Sequence, residues 1–73
     1  MKLYTVEAEF PNKPENERYY KESFGTDEEG AFDAYDECIE DNDCEYVSLE
    51  CHLVYGGMEH DCKTIKKFER EKN

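Results

Sequence analysis

Basic charge is outnumbered more than two to one in this chain. Nine Lys and Arg face twenty Asp and Glu, for a formal net charge of -11. A field of that sign repels phosphates, which excludes direct nucleic-acid binding as the expected role. Long apolar runs are missing too. No stretch approaches the ~20 apolar residues of a membrane-spanning helix. The opening MKLYTVEAEF alternates where a secretory leader would carry a continuous apolar block. The expectation is therefore a cytoplasmic chain with no membrane partner, in which Cys38, Cys44, Cys51 and Cys62 are free thiols. Proline is confined to Pro11 and Pro14 in the loop segment PNKPENE, and no repeat or low-complexity tract breaks the chain.

What is present is enough for one small domain over residues 1–73. The 40% charged residues favour disorder, but ten Tyr and Phe side chains and a clean alternation favour folding. Tyr4, Val6, Ala8 and Phe10 alternate with Leu3, Thr5, Glu7 and Glu9, the period of a strand with one buried face. Residues 18–24 form a second, aromatic-rich strand that pairs back as an antiparallel hairpin. Thr26 then caps a helix over residues 27–41, with Glu29 completing a capping box and Asp27, Glu28 and Glu29 meeting the positive end of the helix dipole. Ala31, Phe32, Ala34, Tyr35, Cys38 and Ile39 make its apolar stripe.

Residues 45–55 and 58–68 are two more strands joined by Gly56-Gly57, whose positive φ angles suit a two-residue hairpin turn. An uninterrupted register pairs Tyr55 with Met58, Leu53 with His60, Cys51 with Cys62, Leu49 with Thr64 and Glu50 with Lys63, and puts Phe68 on the face of Val47. Ile65 is left on the polar face as a misfit. Residues 69–73 are a charged tail expected to fray. The predicted fold is α+β, a four-stranded antiparallel sheet with one helix packed on one face, in ββαββ order.

The main chemical signal is acidic. Residues 27–45 hold ten acids and no Lys or Arg, whereas residues 63–73 hold Lys63, Lys66, Lys67, Arg70 and Lys72. Solvated helices gain from i,i+4 pairs of opposite charge and lose from like pairs. This helix forgoes the gain, which points to a surface in use. Asp33, Asp36, Glu37 and Glu40 recur every three or four residues as a ridge, with neighbours roughly 5–6 Å apart, and Asp41 and Asp43 extend it. These six are the candidate partner-binding residues. The plain alternative is a solvated face that aids solubility.

Other chemistries fit less well. Cys51-His52 and His60-x-Cys62 flank the Gly-Gly turn, but the uninterrupted register turns His52 away from Cys51 and Cys62, so no metal site is expected. That register also disfavours a Cys51–Cys62 disulfide, because it makes them a hydrogen-bonded pair with the wider backbone separation. Asp41-x-Asp43-x-Glu45 resembles the start of a calcium loop, but Tyr46 and His52 stand where Gly and Glu are needed. No cleft is predicted for a Cys-His nucleophile pair, so neither a catalytic residue nor a cofactor is expected.

The strand-strand-helix-strand-strand order, the segment TDEEGAFDAYDECIEDND and the short single domain together resemble small phage-encoded host-defence inhibitors of the anti-CRISPR and anti-restriction kind, some of which imitate DNA. The resemblance implies a non-enzymatic inhibitor whose partner is a protein with a basic nucleic-acid-binding groove. The basic segment from Lys63 to Lys72 departs from a pure DNA mimic. A second expectation is an interaction module, homodimeric through a sheet edge or through an outward patch of Leu3, Val54 and Ile65.

Overall fold

The computed structural model describes residues 1–70. Strand β1 spans Lys2–Glu9, β2 Tyr19–Gly25, helix α1 Glu28–Glu40, β3 Tyr46–Tyr55 and β4 Met58–Glu69, with a single 3-10 turn at Glu15–Glu17 in the proline loop. The sheet order is β2-β1-β3-β4, and every neighbouring pair is antiparallel. The predicted ββαββ architecture is the one observed.

The alternation in β1 does what its period dictates. Tyr4, Val6 and Ala8 point under the helix and are buried, while Leu3, Thr5 and Glu7 line the other, open face. Val47 and Leu49 of β3, Ala31 and Tyr35 of α1, Phe10 and Cys44 complete the core. Ser48, on the open face, is the buried polar residue of the set.

Three expectations change. The helix cap is Asp27, not Thr26: its side chain accepts from the Gly30 amide at 2.9 Å, the usual link from an N-cap to the third helical residue. The tail is better held than expected. Glu69 ends β4, and the Arg70 amide donates to the Glu45 carbonyl at 2.9 Å; residues 71–73 of the predicted frayed tail lie outside the described residues.

The third change is the β3–β4 register. It begins as predicted, with Tyr55 opposite Met58 across Gly56 (φ 62) and Gly57 (φ 76). The register then slips twice. After the shift between Val54 and Leu53, Leu53 pairs with Asp61, His52 with Cys62, Cys51 with Lys63 and Glu50 with Thr64. After the shift between Glu50 and Leu49, Leu49 pairs with Lys66 and Val47 with Phe68. Each slip inserts one unpaired residue into β4, first His60 and then Ile65. One insertion reverses the faces of residues 61–64, and the second restores them. Ile65 was a misfit because it is a bulge residue.

Candidate functional site

Helix α1 lies across the sheet with Ala31 and Tyr35 inward. At 100° per residue, Glu29, Asp33, Asp36 and Glu40 fall on the opposite side, and all four are exposed. Glu37 sits to one flank, beside a shallow hollow lined by Phe10, Tyr20, Ala34, Cys38 and Asp41. Among the described residues, no Lys, Arg or His side chain forms an ion pair with Asp33, Asp36, Glu37, Glu40 or Asp43.

Asp41 is different. Its carboxylate takes Lys13 Nζ at 2.6 Å and the Asp43 amide at 2.9 Å. The hydrogen bond from Lys13, with the Asp43 amide second, holds its carboxyl below the usual 3.8, and the same contact raises Lys13. Asp41 thus closes the turn after the helix and is engaged within the chain. Asp43 is exposed but lies in that turn, off the ridge.

Among the described bases of this segment, Arg70 is half-buried, while Lys63, Lys66 and Lys67 are exposed. Arg70 donates from its guanidinium to the carbonyls of Cys44 (2.9 Å), Ile39 (3.2 Å) and Asp41 (3.4 Å), neutralising the negative end of the helix. Lys66 Nζ lies 5.2 Å and 5.4 Å from the ring centroids of Phe32 and Tyr35. Lys67 pairs with Glu69 at 3.0 Å and Lys63 with Asp61 at 3.7 Å. Each described base of this segment thus has a contact within the chain, and none of these contacts is to a ridge acid.

The slipped register overturns the geometric ground on which a metal site was set aside. Cys62 is directly opposite His52 on the open face, and Cys51 faces the helix side. A Cys51–Cys62 disulfide is thereby excluded, since the two thiols project from opposite faces. His52 Nε2 lies 2.9 Å from Thr5 Oγ1 and 4.0 Å from Glu50 Oε2, and its Nδ1 bonds the Glu59 carboxylate. Cys62 Sγ donates to Glu50 Oε2 at 3.2 Å. That bond, ahead of desolvation, pushes the Cys62 thiol up to about 11, which keeps it protonated and a poor nucleophile near neutrality. Burial does the same for Cys38, also to about 11.

The homodimer patch does not assemble. Ile65 lines a cleft of about 310 Å3 on the helix side with Tyr4, Cys51, Leu53 and Lys63, whereas Leu3 and Val54 belong to the open face. That open face is polar and internally bonded, as in Tyr19 Oη to Glu7 Oε2 at 3.0 Å and Lys21 Nζ to Glu7 Oε1 at 3.3 Å. Among the described residues, no helix is long and apolar enough to cross a membrane. No family model matches the chain, and neither the curated proteins nor the solved structures contain a match to it.

Proposed function

We propose that the chain is a non-enzymatic acidic protein that docks the exposed ridge of α1 into a basic nucleic-acid-binding groove of a protein partner and blocks it. The carrying observation is the segregation of charge. Among the described residues, Asp33, Asp36 and Glu40, with Glu29 in line, stand exposed without an ion pair, while Arg70 is engaged at the exit of the helix and Lys63 and Lys67 pair at the surface with Asp61 and Glu69.

Spacing narrows the kind of groove. From Glu29 to Glu40 the helix rises ~16 Å, so the ridge carries about one charge per 5 Å. Duplex DNA carries one per ~1.7 Å of axis, and a single strand one per ~3.4 Å. The ridge therefore imitates one phosphate track better than a whole duplex. A groove that grips a single backbone is the better fit. Glu37 flanks this line, while Asp41 is withdrawn by Lys13 and Asp43 contributes only at the end.

Homodimerisation through an edge is the second reading, and the β4 edge disfavours it. Strand β4 is long, but it is bulged and carries Lys63, Lys66 and Lys67, devices that hinder edge-to-edge pairing.

The test is capture of a nucleic-acid-binding protein by the immobilised chain, followed by competition with that protein's nucleic acid. Binding should weaken steeply between about 50 and about 200 mM salt, and nucleic acid should displace the chain. Triple reversal of Asp33, Asp36 and Glu40 to Lys should abolish capture. A partner that tolerates both salt and reversal would move the interface off the helix.

A further inference from the structure

We propose that Glu50, His52 and Cys62 form a zinc-binding site on the open face of the sheet. The site lies across the sheet from the acidic ridge and does not depend on the docking role of the helix. Glu50 and His52 are two apart on β3 and so share a face. Cys62 reaches that face only because the bulge at His60 shifts β4 by one residue. The three donor atoms, a carboxylate oxygen, an imidazole nitrogen and a thiol sulfur, all lie within 4.8 Å of one another.

The spacing suits a tetrahedral ion. Bonds of ~2.0–2.3 Å to zinc hold neighbouring donor atoms roughly 3.3–3.8 Å apart. Cys62 Sγ is 3.2 Å and His52 Nε2 is 4.0 Å from Glu50 Oε2, so small side-chain rotations suffice. His52 is already oriented. Glu59 accepts from Nδ1, which fixes the tautomer with its lone pair on Nε2, the carboxylate-histidine arrangement that steadies metal-bound imidazoles.

Binding needs two local exchanges. The thiol proton leaves Cys62 for solvent, and the Thr5 hydroxyl gives up Nε2 to the metal. A sulfur, nitrogen and oxygen set selects a borderline ion such as zinc over magnesium or calcium. Three protein donors leave a fourth position for water or for a donor brought by another molecule.

Cobalt(II) titration of the reduced chain tests this, because a thiolate-to-cobalt charge-transfer band reports the sulfur ligand directly. One equivalent should develop the band, zinc should bleach it, and magnesium should not. Cys62→Ser should remove the band; Cys62 is exposed, so this variant should fold, with circular dichroism as the check. Cys51→Ser, altered on the opposite face, should leave it intact. Glu59→Gln should weaken zinc binding by about 10–100-fold while every ligand remains. Absence of the band, its survival in Cys62→Ser or its loss in Cys51→Ser would each overturn the site.

Discussion

Arg70 is the side chain on which the two ends of the fold meet. It ties the last described residue of the chain to Ile39, Asp41 and Cys44, carbonyls at the exit of the helix and in the turn after it. Without it, the helix would end with carbonyls short of partners. A hydrogen bond involving a charged group contributes about 1.5–3 kcal/mol. Arg70→Gln should therefore lower unfolding stability by about that amount, read by urea denaturation. A loss below 0.5 kcal/mol, the scale of an ordinary surface substitution, would mean that the guanidinium merely rests there. The charge of this residue was legible in the sequence, and its destination was not. A basic tail beside an acidic helix fits an external contact as well as an internal cap, and only the chain's return along β4 decides between them.

At the scale of elements, the helix start separates two neighbouring candidates. Thr26 and Asp27 are both good caps, and the Glu at the capping-box position favoured Thr26. The deciding contact is the bond from the Gly30 amide to the Asp27 carboxylate at 2.9 Å. Asp27→Ala should cost about 0.5–2 kcal/mol, whereas Thr26→Ala should cost well under that. Equal losses in thermal unfolding would return the cap to Thr26. The strands show the same division. Alternation located β1 and β3, aromatic content located β2, and the Gly-Gly turn located β4 and set the first pair of the hairpin, Tyr55 with Met58, correctly. The bulges escaped because a period-two pattern assumes one residue opposite one. Ile65, the misfit, was their trace in the sequence, and the slip at His60 separates a rejected metal site from Glu50, His52 and Cys62 gathered on one face.

For the whole molecule, shape and charge act together. The radius of gyration is 13.2 Å, above the ~11 Å of a compact chain this long, because the β3–β4 hairpin runs out past the helix. A small, elongated domain has little core with which to offset the self-repulsion of a net charge of -11. The ridge on α1 concentrates that repulsion, since Asp36 has like charges three residues before it and four after it. Asp36→Lys turns both repulsive pairs into attractive ones and should stabilise the fold by about 1 kcal/mol. For a domain this size that is a rise in melting temperature of roughly 4–8 °C in low salt. Salt should raise the melting temperature of the unaltered chain and shrink the advantage of the variant, because the screening length falls to ~10 Å at 0.1 M. The same substitution should weaken docking to a basic groove. Gain of stability with loss of binding is the signature of a surface kept repulsive for a partner. A variant no more stable than the parent in low salt would show that the ridge stores no repulsion, leaving an ordinary solvated face.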